Sequence, residues 1–212
     1  MPPVLAQSPG VVEWVPCLAQ ADEPTEEWTS LIGEGLAGWT VNRPNRAGHW
    51  DNIDGIITGH NPDKRGSILW TDKDDYTDFE LYVEYRTTTP EDYDSGIFIR
   101  AESHQVQMGV SRSLQKDMTA SIYCPKDGDG SYPAETDEEA IAEQHRVGDW
   151  NTLRIVVRGN NIQTFLNDAE ICDYPTKTMP DSGKIGLQLH GGVDMRMEFR
   201  VVKLRELEAQ SE

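Results

Sequence analysis

Phe79-Glu80-Leu81-Tyr82-Val83-Glu84-Tyr85-Arg86 is the stretch on which the fold class turns. Side chains of a β-strand alternate between its two faces, so Phe79, Leu81, Val83 and Tyr85 share one face and Glu80, Glu84 and Arg86 lie opposite. The pattern predicts a half-buried antiparallel strand. The same period runs through Leu153-Arg154-Ile155-Val156-Val157-Arg158 and Ile162-Gln163-Thr164-Phe165-Leu166, with Gly159-Asn160-Asn161 between them as a tight turn. Asn167-Asp168 turns into a further strand over 170–174, and Asp54-Gly55 separates a strand at 50–53 from one at 56–58. Near the end, Met195, Met197, Phe199 and Val201 alternate with Arg196, Glu198 and Arg200. Helical spacing is confined to about Asp137–His145. Many short strands without alternating helices predict an all-β sandwich or barrel, with two packed antiparallel sheets as the expected architecture. In such sandwiches one sheet is often curved, and its concave outer face is a natural cleft.

The chain has 212 residues, enough for one large all-β domain, and no composition break divides it. Four prolines precede position 20, and acidic Asp22, Glu23, Glu26 and Glu27 follow. Residues 1–26 therefore read as a tail or linker and 27–208 as the domain. Ala19-Gln20-Ala21 has the small-x-small form of an export cleavage site, although no positive region precedes it and Glu13 interrupts the apolar stretch. No run is long enough for a transmembrane helix. A net charge of −18 without a basic cluster argues against nucleic acid or an anionic membrane as partner. Cys17, Cys124 and Cys172 form neither a zinc-type spacing nor an even disulfide set, leaving a lone Cys124–Cys172 bridge as the one pairing to test.

Polar residues stand where plain strands do not need them. In Asp94-Ser95-Gly96-Ile97-Phe98-Ile99-Arg100 and Gly186-Leu187-Gln188-Leu189-His190-Gly191-Gly192, alternation predicts that Arg100, Gln188 and His190 share one sheet face. In His104-Gln105-Val106-Gln107-Met108 it sets Gln105 and Gln107 opposite His104, Val106 and Met108. The expectation is a polar cleft fed by three strands. Trp70, just before an acidic turn, is the candidate stacking platform for a ring; the other tryptophans read as core or edge packing.

The order of segments resembles a known family. Trp28-Thr29-Ser30-Leu31, Gly35-Leu36-Ala37-Gly38-Trp39, the 50–57 hairpin, Tyr76-Thr77-Asp78-Phe79-Glu80-Leu81, Asp94 to Arg100, Gly148-Asp149-Trp150-Asn151-Thr152 and Gly183 to Gly191 together resemble the 3-keto-disaccharide hydrolase domain, formerly DUF1080. The resemblance covers roughly residues 28–207. It implies a concanavalin-like jelly roll, commonly exported to the periplasm or secreted by bacteria, that cleaves 3-keto-glycosides made by a separate sugar oxidoreductase. Oxidation at C3 makes the C2 hydrogen acidic, so a base, a group holding the enediolate and a proton donor suffice for elimination and hydration. His190 is the candidate base or metal ligand, and Arg100 the candidate holder of the oxyanion or a sugar hydroxyl. Gln105, Gln107 and Gln188 are candidate ligands for sugar hydroxyls. The resemblance leaves a divalent metal ion open, with no ligand set identified.

One departure stands out. Where the family often has Tyr-Glu-Val-Gln, this chain has His104-Gln105-Val106-Gln107, and Gln105 can neither titrate nor hold a cation as a glutamate does. Glu102 and His104 are the residues that can compensate. A noncatalytic carbohydrate-binding module is therefore the alternative function, and a surface interaction domain a third, because fold does not fix activity. Glu135-Thr136-Asp137-Glu138-Glu139 spells the E-x-D-x-E of jelly-roll glucanases but lacks a buried strand's apolar positions. Asp127-Gly128-Asp129-Gly130 opens like a calcium loop without the glutamate at its twelfth position.

Overall fold

A strand with one apolar face is stable only when that face is covered, and here two such sheets cover each other. A computed structural model describes residues 27–89, 93–128 and 130–208. The tail expected over 1–26, with its cleavage-like triplet and Cys17, lies outside the described residues, as does Asp129. Among the described residues, the larger sheet has the order Ala169–Pro175, Asn161–Leu166, Asn151–Arg158, Phe79–Thr87, Arg196–Glu206, Ile56–His60, Trp50–Ile53, and Thr29–Ser30 also pairs with Arg196–Glu206. The other runs Trp39–Val41, Ser67–Thr71, Lys184–Leu189, Asp94–Ser111, Lys116–Asp117, and Ile122–Tyr123 joins Asp94–Ser111. Every described pairing is antiparallel. The fold is an all-β sandwich. No helix among these residues is long and apolar enough to cross a membrane.

Phe79, Leu81, Val83, Tyr85, Leu153, Ile155 and Val157 point inward from the larger sheet, against Leu69, Ile97, Ile99, Ile185, Leu187 and Leu189 of the smaller. Each such aliphatic or aromatic side chain contributes roughly 1.5–3 kcal/mol by leaving water. The turns have the expected chemistry: Asp54 and Gly55, and Asn167 and Asp168, all take positive φ, the geometry of two-residue hairpin turns. The short helix is Glu138–Gln144, with the Asp137 side chain accepting from Ala140 N at 2.9 Å.

Two expectations change. The final strand carries a bulge between Phe199 and Val201, so burial shifts from odd to even positions and Val202 and Leu204, rather than Val201, continue the core. Cys124 and Cys172 are both buried and free, so no bridge joins them.

Gly183 marks a tight approach near the cleft-bearing sheet. Its amide and carbonyl pair with Tyr76, and a Cβ there would lie 2.0 Å from Arg100 O. Because the obstacle is backbone, Gly183→Ala is expected to cost about 2–3 kcal/mol. Urea denaturation would check this, and an unchanged midpoint would contradict the packing described.

Candidate functional site

The strand Asp94–Ser111 doubles back on itself, since Val110 N donates to Tyr93 O at 2.9 Å. Its inward residues Ile97, Ile99, Val106 and Met108 are buried in the core. Alternation then leaves Asp94, Gly96 and Phe98 on one arm, and Gln105 and Gln107 on the other, facing the outside of the smaller sheet. Asp94, Phe98, Gln105 and Gln107 line a cavity of about 330 Å³ with Gln188, His190, Glu102, Tyr123 and Tyr132.

Hydrogen bonds arrange the amides in a chain. Gln105 Nε2 shares its two N–H groups among three acceptors, Gln107 Oε1 and Gln188 Oε1, each at 3.1 Å, and Ser95 O at 3.2 Å. Gln107 Nε2 donates to Asp94 Oδ1 at 2.8 Å, while Asp94 Oδ2 accepts from Arg112 N at 3.2 Å. With its oxygen committed to Gln105, Gln188 keeps its amide N–H groups for a ligand. His190 Nδ1 lies 2.6 Å from Gly191 O. A carbonyl can only accept, so Nδ1 carries the proton and the neutral ring's Nε2 has a free lone pair. Burial pushes the Tyr132 phenol up to about 12, which keeps it a proton donor at neutral pH. Tyr132 packs edge-on to Tyr123 at 5.4 Å, and Tyr123 stands opposite Gln105 across the strand pair.

Gln105, Gln107, Gln188, His190 and Glu102 thus converge, Glu102 exposed at the mouth. Arg100 does not. Its φ of +59° breaks the alternation, and its side chain, 2% exposed, turns to the end of the sandwich. There it donates to Gly159 O at 2.7 Å, Pro180 O at 3.0 Å and the Thr77 carbonyl, with Asp78 at 3.4 Å. Arg100 is corrected from oxyanion holder to structural strut. His104 is likewise corrected: it is fully buried on the opposite face from Gln105 and cannot replace a cleft glutamate. Trp70 stacks on Phe98 at 5.5 Å, and Phe98, not Trp70, lines the cavity.

Asp94, Arg112, Tyr123 and Tyr132 were not singled out by the sequence reading. Asp94 shares strand parity with Gly96 and Phe98, so it was legible; the tyrosines arrive from a loop and a two-residue strand, which alternation does not place.

Behind the cleft, His104 meets Cys124 and Asp127, a neighbour that no sequence motif announced. All three are buried, with ligand atoms within 4.8 Å of one another. Nitrogen, sulfur and carboxylate donors suit a borderline ion such as Zn²⁺ better than Ca²⁺. The cluster is also coherent without metal: Asp127 accepts from Thr178 Oγ1 at 2.6 Å and Lys177 N at 2.9 Å. Burial lowers the His104 pKa and pushes the Cys124 thiol up to about 11, so both are neutral near pH 7.

The sequence from 27 to 205 matches the profile of the 3-keto-alpha-glucoside-1,2-lyase-like domain. The chain belongs to this family. Among solved structures, a provisionally assigned glycosyl hydrolase of Parabacteroides distasonis ATCC 8503 is similar to this lyase-like domain at TM-score 0.61 and 20% identity, over 85% of this chain and 100% of the other. The carbohydrate-binding module CBM66 of Bacillus subtilis is similar at TM-score 0.51 and 14% identity, over 80% and 96% of the two chains. The exoplasmic/lumenal domain of VIP36, in its Ca²⁺- and mannose-bound form, gives 0.58 and 9%, over 89% and 93%. Among curated proteins, none matches this sequence. At these identities the likenesses establish the fold, a concanavalin-like jelly roll, and the family establishes a carbohydrate-related domain.

Gly96 underlies the amide chain. A Cβ there would lie 2.0 Å from Gln105 Nε2 and 2.6 Å from its Cγ. Gly96→Ala is expected to displace Gln105 and, by unpairing amides worth about 1–3 kcal/mol each, to weaken ligand binding in this cleft about tenfold or more. Calorimetric titration beside a circular dichroism melt separates this from unfolding. Arg100→Met is expected to remove about 3 kcal/mol or more of stability by stranding buried carbonyls and Asp78. Denaturant titration reads that loss, and the protein folded in low denaturant should keep its ligand affinity.

Proposed function

We propose that the cleft binds 3-keto-glycosides and cleaves them by elimination and hydration. The observation that carries the reading is His190, whose Nδ1 contact with Gly191 O frees Nε2 as a base beside the Gln188 amide. His190 Nε2 takes the C2 proton, and the electron pair passes into the C2–C3 enediolate, whose oxygen is held by the Gln188 N–H groups. The carbonyl then re-forms as the C1–C2 double bond closes and the C1–O bond breaks. The leaving oxygen takes a proton from the Tyr132 phenol. Water adds back at C1, its proton passing to the Tyr132 phenolate, and His190 returns the proton to C2. Gln105 and Gln107 bind hydroxyls, and Phe98, backed by Trp70, offers the sugar an apolar face. The keto group comes from a separate sugar oxidoreductase, and the domain works in the periplasm or outside the cell.

A second reading, a noncatalytic carbohydrate-binding module, is supported by Gln105. Both oxygens of Asp94 already accept hydrogen bonds and Glu102 sits at the mouth, so among the described residues the centre of the cleft has no carboxylate without a partner. A divalent ion also belongs to the proposal, with His104, Cys124 and Asp127 as the described donor set; there it would brace the strand behind Gln105 and supply no catalytic step.

Release of product from a 3-keto-glycoside and from its unoxidised parent, with and without a chelator, tests both readings. Cleavage of the keto form alone, abolished in His190→Ala, is expected of the enzyme. Binding without cleavage by wild type, with turnover appearing in Gln105→Glu, would instead establish the binding module. A bracing ion predicts that chelator lowers the melting temperature.

A further inference from the structure

The cleft continues past His190 into a groove of about 400 Å³ along which Gln188, Glu102 and His190 line both spaces. Arg43, Arg46 and Arg65 line this extension, with Glu102 as its one lining carboxylate. Three guanidiniums in one groove stand out in a chain of 37 acidic and 19 basic residues.

On the larger sheet, four arginines meet carboxylates. Arg86 meets Glu198 at 2.7 Å, Arg200 meets Glu84 at 2.5 Å, and Arg154 and Arg205 share Glu80 at 3.3 and 2.6 Å. In the groove the pattern reverses. The Arg43 guanidinium has no hydrogen bond or ion pair among the described residues. Arg46 donates to the Gly66 carbonyl, while its buried Nε has no partner. Arg65 has only Asp63, at 3.8 Å, and Asp63 is shared with His49 at 3.1 Å. With many carboxylates available, leaving Arg43 and Arg46 without one and Arg65 with a single long contact keeps a local positive potential on a surface that otherwise repels anions.

We propose that this groove is a subsite for an oxyanion substituent on the glycoside, a carboxylate or a sulfate ester. The guanidinium fork matches such groups with paired, charge-assisted hydrogen bonds. The substrate class is therefore an acidic glycoside whose charged unit lies in the arginine groove while a neighbouring ring occupies the glutamine-lined cleft. This rests on the reading of that cleft as a carbohydrate site.

The test is an array of neutral, uronate-containing and sulfated glycans, probed with wild type and an Arg43→Ala/Arg65→Ala variant, whose removed guanidiniums brace nothing beyond the long Arg65–Asp63 contact. Wild type is expected to favour acidic glycans over their neutral counterparts by about tenfold or more, with the preference shrinking as salt screens it. The variant should keep neutral binding and lose the preference. Uronate and sulfate arms identify which oxyanion fits. Equal binding of neutral and acidic glycans, or an acid preference that survives in the variant, overturns the subsite while leaving the carbohydrate cleft standing. Binding of neither class overturns the cleft reading and the subsite with it.

Discussion

The strict alternation of side chains along Asp94–Ser111 and Lys184–Leu189 is the constraint from which both the core and the cleft follow. Ile97, Ile99, Ile185 and Leu187 must face the opposing sheet to leave water, and that choice sends Gly96, Phe98 and Gln188 to the other side. The cleft is therefore the reverse of the core. A one-residue slip in either strand would exchange the two, burying amides and exposing isoleucines. The doubling-back of Asp94–Ser111 then lays Gln105 and Gln107 beside the first arm, so three amides and one carboxylate meet without a dedicated loop.

Charge is handled differently on each surface. On the outer face of the larger sheet, acidic and basic residues form cross-strand pairs, and Arg86 and Arg200 also lie over the Trp150 ring at 4.7 and 4.3 Å. At the end of the sandwich, Arg100 is buried, which lowers its affinity for a proton, yet three backbone carbonyls and Asp78 receive its guanidinium. A buried charge is tolerable only when so fully met. In the groove beyond His190, by contrast, guanidiniums are left without such partners. That contrast between a strut, a ladder and a sparsely paired set gives the arginines three distinct physical roles.

The amide-rich centre of the cleft has its own consequence. Glutamine side chains supply directional donors and acceptors without charge, so they recognise hydroxyls in a protein whose net charge would otherwise make every carboxylate site compete with repulsion. Gln105, bonded to Ser95, Gln107 and Gln188 at once, orders its neighbours. Gly96 makes room for it, and no other residue type leaves that space.

The all-β class, the hairpins at Asp54-Gly55 and Asn167-Asp168, and the shared face of Gln105 and Gln107 are legible in the sequence, because these depend on period-2 alternation and local turn chemistry. The sequence also determined the family, through motifs in fixed order. It could not determine where Arg100 points, because a single residue with positive φ reverses parity and only the surrounding carbonyls of Thr77, Gly159 and Pro180 stabilise that conformation. Nor could it bring His104 to Cys124 and Asp127, or Tyr132 to the cleft, since those meetings depend on how loops close over a finished sheet. The arginine groove is likewise tertiary: Arg43 and Arg65 are 22 positions apart, and what makes them a set is the groove they share once the strand Ser67–Thr71 lies between Trp39–Val41 and Lys184–Leu189. Local spacing decides which way a strand's side chains face; only packing decides which of them meet.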